Sequence, residues 1–417
     1  MTFKTLQTIL ITGCAFASLS FSALAGGFDR GGVNIDGLFD KDQISTQATI
    51  RYINVSRERK NLSRGTINAG FFDAATADNQ KADNSYLNMN SSAKIGIGEH
   101  VDCLGTIGQP IGAYEDNGSN TAYSPTSNKL EIKTTDYGLT CSFKHDLGKG
   151  QARLIAGGSL LDFKGTQERQ SYLYATAALQ GAYAGLDPNG VANIEFSDTT
   201  SSWRIGAAYE IPEIAFRAMV LYNSKYDLDL SGEIDTTNYG TTTSGVYDIT
   251  ASTQIPQSLE LKVQSGINQK TIAFGHIKWQ DWSELQSIVI SPFTSATPTT
   301  ANPTSTVALE PFFQDGLTIT AGLGRKLTDN FSLASSLTWD RATSTTTGTQ
   351  TASWRLNTGI KTTISENLEF TLGGAVGYFE SGKSEQNANA IDRGSNISYD
   401  FDGEWFQAVS TSLKLKF

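Results

Sequence analysis

The sequence predicts an all-β protein: a transmembrane antiparallel β-barrel of about 14 strands with a short N-terminal hatch segment. Three observations carry that expectation. Apolar and polar residues alternate with period two over most of the chain. Short turns alternate with long polar loops. The last strand is amphipathic and ends on Phe417.

In chain order, residues 1–25 come first and read as a cleaved signal peptide. Lys4 precedes an apolar stretch that closes on Ala23-Leu24-Ala25, a small-residue cleavage site. A membrane anchor is one alternative, though the apolar run is short for a span. A lipoprotein box at Ile11-Thr12-Gly13-Cys14 is another, though the run continues past Cys14. Removing Lys4 with this segment takes the formal charge from −10 to −11. So acidic a chain offers no basic footprint for nucleic acid. Residues 26–46 are expected to form the short hatch or plug, and residues 47–417 the barrel.

No later stretch approaches 18 consecutive apolar residues, so no transmembrane helix is expected. Barrel strands escape that test, because only every second residue must face lipid. Candidate strands fall near 47–54, 87–97, 101–113, 131–144, 151–164, 202–211, 214–230, 248–263, 270–289, 316–327, 330–340, 352–364, 367–379 and 400–417. Two hairpins are especially clear. Trp354, Leu356, Ile360 and Ile364 share one face before Ser365-Glu366-Asn367, and Leu368, Phe370, Leu372, Val376 and Tyr378 follow. A second pair surrounds Thr328-Asp329-Asn330, where Asn tolerates the left-handed backbone of a tight turn. Longer loops are expected at 115–130, 166–201, 231–247, 291–312, 340–351 and 380–398. A soluble sandwich could alternate in the same way, but would not need a long loop at every second connection.

In the last strand Val409, Thr411, Leu413, Leu415 and Phe417 are in phase, with Ser410, Ser412, Lys414 and Lys416 opposite. A terminal aromatic in this setting resembles the signal read by the outer-membrane barrel assembly machinery. Two cysteines follow the signal segment, Cys103 and Cys141. An even count in an exported chain is compatible with one disulfide. Their candidate strands are adjacent and antiparallel, which puts both near the periplasmic rim. Two unpaired, lipid-facing thiols are the alternative, since Cys141 is in phase with Leu139 and Phe143.

Several segments resemble the long-chain fatty acid transporter family (FadL type). They are SWRIGAAYEIPEIAFRAMVLYNSKYDLDLSGEI (202–234), TQIPQSLELKVQSGIN (253–268), IKWQDWSELQS (277–287) with its Trp-x-x-Trp-Ser element, and residues 151–169. The resemblance implies a monomeric barrel in the outer membrane of a Gram-negative bacterium. Its partners would be a long-chain fatty acid or other hydrophobic small molecule and outer-membrane lipid, with no cofactor. The substrate would be captured at the outer loops and released sideways through a kinked third strand.

Three stretches carry the site expectations. Gly105, Gly108, Pro110 and Gly112 weaken the third strand, because Pro lacks a donor and Gly packs nothing. The result is a lateral opening or merely a bulge. Tyr172, Leu173, Tyr174 and Leu179 form an unusually apolar outer loop, a capture surface or a self-packed loop. Arg169 matches a family arginine that faces the ligand carboxylate; a structural ion pair is the alternative. Two departures stand out. No Asn-Pro-Ala element precedes the first strand, and no cation lies between Lys278 and Arg325. The second leaves neutral hydrocarbons open as ligands. His100, His145 and His276 lack metal-ligand spacing, and no G-x-S-x-G elbow occurs. A diffusion porin and a barrel enzyme are the rival classes, and a non-enzyme is expected.

Overall fold

The computed structural model describes residues 27–63, 80–119, 127–170, 190–238, 245–295, 305–345, 347–385, 387 and 397–417. Its wall consists of β1 (Ile44–Asn54), β2 (Tyr86–Ile97), β3 (Val101–Gly108), β4 (Lys129–Leu147), β5 (Gly150–Gln170), β6 (Val191–Ile211) and β7 (Phe216–Asn223). It continues through β8 (Ser258–Asn268), β9 (Thr271–Gln280), β10 (Gly316–Lys326), β11 (Phe331–Asp340), β12 (Ser353–Ser365), β13 (Leu368–Phe379) and β14 (Glu404–Lys416). Each strand pairs antiparallel with the next, and β14 returns to β1 with Lys416 opposite Ser45. The fourteen-strand ring therefore closes, as a wall in hydrocarbon requires. Connections at one end are tight, as at 148–149 and 366–367, and those at the other end are long.

The alternation places apolar side chains outward. Leu154, Leu160, Trp203, Ile205, Leu356, Trp405 and Leu413 are all exposed, Leu154 to 68% and Trp405 to 71%. Their neighbours Arg153, Arg204, Arg355, Asn357 and Ser412 are buried in the lumen. Such a wall suits hydrocarbon outside and a polar interior. Interior charges gather in networks such as that of Asp102, which accepts from Lys94 and Lys144 at 2.9 Å each and from Arg153 at 2.8 Å.

Beyond the lipid-facing band the phase inverts. Leu161 and Phe163 on β5, and Ala192 and Ile194 on β6, point inward and are buried. A wall extension after β7 (Tyr226–Asp235) buries Leu228, Leu230 and Ile234 and exposes Asp227, Asp229 and Glu233. Above the membrane, water bathes the outside, so the apolar residues retreat to the lumen. Leu161, Phe163, Leu228 and Leu230 pack into one apolar cluster with Ile111, Ile132, Ala251, Ile255, Trp282, Leu285 and Phe313, and Ile194 and Ile234 into a second with Ile249 and Ile290.

Five expected strands are interrupted: the fourteenth, 400–417, breaks at 402–403, and the other four each break for a local reason. The third, 101–113, breaks at 109–111 around Pro110. The seventh breaks where Ser224 inserts and its hydroxyl takes the N–H of Trp203 at 2.9 Å. The eighth breaks at Pro256, which has no N–H to give. The ninth ends at Gln280, and a 3₁₀ turn (Trp282–Glu284) carries Trp282 into the lumen. The expected loop at 166–201 is shorter, since β5 runs through Gln170 and pairs with Val191. The polar outward face of those extensions concealed them.

Candidate functional site: the break in the third strand and the segment inside the lumen

Residues 27–43 run inside the barrel. Phe28 meets Trp282 edge-on with centroids 5.9 Å apart, and Phe313 at 5.6 Å. Gly27 has φ +66°, and a Cβ there would lie 2.5 Å from the Trp282 ring, so only glycine fits. Farther along, Ile35, Leu38 and Phe39 pack on Leu104, Ile155, Met219 and Leu221. Ion pairs pin the segment to three strands: Asp29–Lys278 at 2.5 Å, Asp36–Lys262 at 3.0 Å and Asp40–Lys414 at 2.5 Å. Burial opposes ionisation of Asp40, but the charge and hydrogen bond of Lys414 and the Ser45 hydroxyl outweigh it. Its carboxyl is held below the usual range.

The same segment repairs the break. The β2–β3 ladder ends at Asn90 opposite Gly108, and the wall pairs again only at Asp83 opposite Asp116. Between those points β3 turns inward. Arg30 N donates to Pro110 O and Gly112 N donates to Phe28 O, both at 2.8 Å, with Asp29 and Ile111 bridged. Across the gap, Met89 N donates to the Gln109 side-chain oxygen at 3.1 Å, and the Asn88 amide donates to Gln109 O at 2.8 Å. An interrupted ladder in hydrocarbon would cost several kcal/mol per orphan group. Here the groups find partners inside, so the break can persist within the wall.

A cavity of about 180 Å³ lies beside this break, lined by Phe28, Arg30, Tyr86, Ala113, Tyr114 and Leu130 among others. Phe28, Ala113 and Leu130 also pack against the apolar cluster above. The cluster, the cavity and the break thus adjoin one another.

The structure distributes the expected site residues unevenly. Gly108, Pro110 and Gly112 bracket the break, whereas Gly105 sits in the intact β2–β3 ladder opposite Ala93. Arg169 is buried at the outer end of β5, where it donates to the Gln167 side chain (3.1 Å) and to Ala308 O (3.2 Å). It is thus removed from the break. Tyr172, Leu173, Tyr174 and Leu179 lie outside the described residues. Cys103 and Cys141 stand opposite each other in β3 and β4, with sulfurs 2.07 Å apart and Cα atoms 4.0 Å apart. Sequence reasoning missed Phe28, Arg30, Tyr86 and Trp282. Only the Trp-x-x-Trp spacing hinted at the last, and nothing local tells which indole turns inward.

A closed barrel with an apolar outer belt, a polar interior and a chain segment threaded through its lumen defines a membrane-spanning transport barrel. The chain belongs to the outer membrane protein transport protein family (OMPP1/FadL/TodX), whose model matches residues 36–402. Among solved structures, a FadL homologue of Pseudomonas aeruginosa is similar with a TM-score of 0.70 and 14% identity, covering 95% of this chain and 97% of that one. The Pseudomonas putida toluene transporter TodX gives 0.59 and 13%, covering 96% and 97%. The Ralstonia pickettii toluene transporter TbuX gives 0.59 and 12%, covering 95% and 96%. At such identities the likeness is one of fold. No curated protein sequence matches the chain.

Proposed function

We propose that this protein takes up hydrophobic molecules across the outer membrane of a Gram-negative bacterium and releases them sideways through the break in β3. The substrate enters at the outer loops, where the 172–179 sequence is rich in apolar residues. It passes along the apolar cluster, rests in the cavity beside Phe28 and Tyr114, and leaves between β2 and β3. The observation that carries this reading is the break itself, whose backbone bonds go to the inner segment rather than to the neighbouring strand. A lateral exit returns an apolar solute to hydrocarbon without crossing a hydrated pore.

Residues 27–43 act as the hatch. A diffusion porin would keep an open, hydrated lumen, whereas here that segment occupies it through buried Leu38 and Phe39. A cavity of about 150 Å³ is enough for a benzene ring, so the resting site suits one aromatic ring or part of a longer chain. Long-chain fatty acids and neutral monoaromatics are both candidate cargo, and TodX and TbuX are described as toluene transporters. Uptake of labelled toluene and oleate by cells with and without the protein tests the reading. Faster uptake of at least one supports it. Passage of hydrophilic solutes alone would support the porin.

A further inference from the structure

Arg30, at the break, is a charged side chain of the inner segment with no ion pair among the described residues. Its guanidinium lies 4.0 Å over the ring of Tyr86, the first residue of β2. Among the described residues it makes no hydrogen bond and no ion pair, and its Nε is buried without a partner. Burial pulls it below the usual arginine range, against the attraction of Tyr86 and Glu131. Glu131 is itself paired with Lys133 at 2.9 Å. The acids lining the same cavity are committed elsewhere: Asp29 to Lys278, Glu115 to Arg59 and the Asp340 carboxylate to the Thr318 hydroxyl. Arg57, on the far side, donates to Thr349 O and stands 3.8 Å from Glu404. The cavity is therefore apolar in its body, with the Arg30 guanidinium at its edge as the charge without an ion-pair partner among the described residues. A half-buried guanidinium of this kind is matched by a carboxylate, which it can hold through two parallel hydrogen bonds.

We propose that Arg30 makes this cavity selective for compact hydrophobic carboxylates, of the size of an aryl carboxylate, and holds their carboxyl group beside the break. The inference rests on the transport reading above and narrows its cargo. Glycine at 112 belongs to the same device, since a Cβ there would sit 2.7 Å from the Arg30 guanidinium carbon.

Equilibrium dialysis of the purified full-length protein against labelled benzoate and labelled toluene tests it, with cell uptake of both measured in parallel. Wild type should bind benzoate about tenfold or more tightly than toluene, the worth of a charge-assisted hydrogen bond. Arg30→Gln should abolish that preference by weakening benzoate about tenfold more than toluene, while Arg30→Lys should restore part of it. Gly112→Ala, which keeps the charge but displaces it, should also weaken benzoate selectively. A heat-modifiable band on gels shows that each barrel is folded. Equal wild-type affinity for the two probes overturns the proposal, as does an equal loss of both in Arg30→Gln. If toluene crosses and benzoate is not preferred, this inference alone fails. If neither probe binds or crosses, this inference fails, and the transport reading fails with it only where oleate is not taken up either.

Discussion

Replacing Asp29 with Asn should loosen the inner segment from the wall. Asp29 and Lys278 are 4% and 7% exposed, with the carboxylate 2.5 Å from the ammonium. Asp29 also accepts the N–H of Gly31 at 2.7 Å, which asparagine can still do through its amide oxygen. The lost component is thus the charge opposite Lys278. Removing one partner of a buried pair costs about 3–5 kcal/mol. Glu260 stands on the next strand near Lys278 and offsets part of it, so about 2–3 kcal/mol of docking energy is expected to go. That corresponds to a rise of roughly 30- to 150-fold in the undocked population. Hydrogen exchange at the amides of residues 27–43 reads the change directly, and the barrel amides serve as the internal control. Exchange across the segment should accelerate by that order, and Asp29→Asn with Lys278→Met should recover much of the protection, because both charges are then gone. Unchanged exchange in the single variant would show that Phe28 and Leu38 hold the segment without the ion pair, and would refute the reasoning.

Free-thiol counting on denatured, unreduced protein should find none at Cys103 or Cys141, and two titratable thiols would end the disulfide assignment. Arg169→Ala should weaken binding of oleate more than of its methyl ester, by roughly tenfold for one charge-assisted hydrogen bond; equal losses would leave Arg169 a structural role through bonds such as those to Gln167 and Ala308. Because the Asp40 carboxyl is depressed in the folded state, its contribution to docking is present above the ordinary carboxylate range. It should be lost only as pH falls through the lowered value, and Asp40→Asn should remove that acid-dependent step from the exchange profile of residues 40–43.

The wall was legible because lipid imposes a strict rule. Leu356, Ile360 and Ile364 alternate with Asn357 and Lys361, and β12 lies where that alternation puts it. Extensions beyond the membrane were harder. Tyr226–Asp235 also alternates, but with Leu228 and Leu230 turned inward, and period two alone cannot tell which face meets hydrocarbon. Pro110 advertised a weak point in β3 through its missing donor. That the freed carbonyl and the Gly112 N–H would be taken up by Phe28 and Arg30 is a long-range pairing, and neither residue carries a local mark of it. Arg30 illustrates the same limit, since its significance lies in the partners it lacks within the folded lumen.

Lateral release through β3 is the central claim, and uptake by Gly108→Trp tests it most directly. A Cβ at Gly108 points toward the Asn90 side chain, 2.3 Å from its oxygen. The indole must therefore displace Asn90 and fill the space beneath the break, where Ile107, Pro110 and Thr106 line the wall. The other strand pairs are untouched, so the barrel should fold and keep its heat resistance on gels. Uptake of labelled toluene and oleate should then fall to the level of cells without the protein. Normal uptake of either by a well-folded Gly108→Trp barrel would contradict release through this strand.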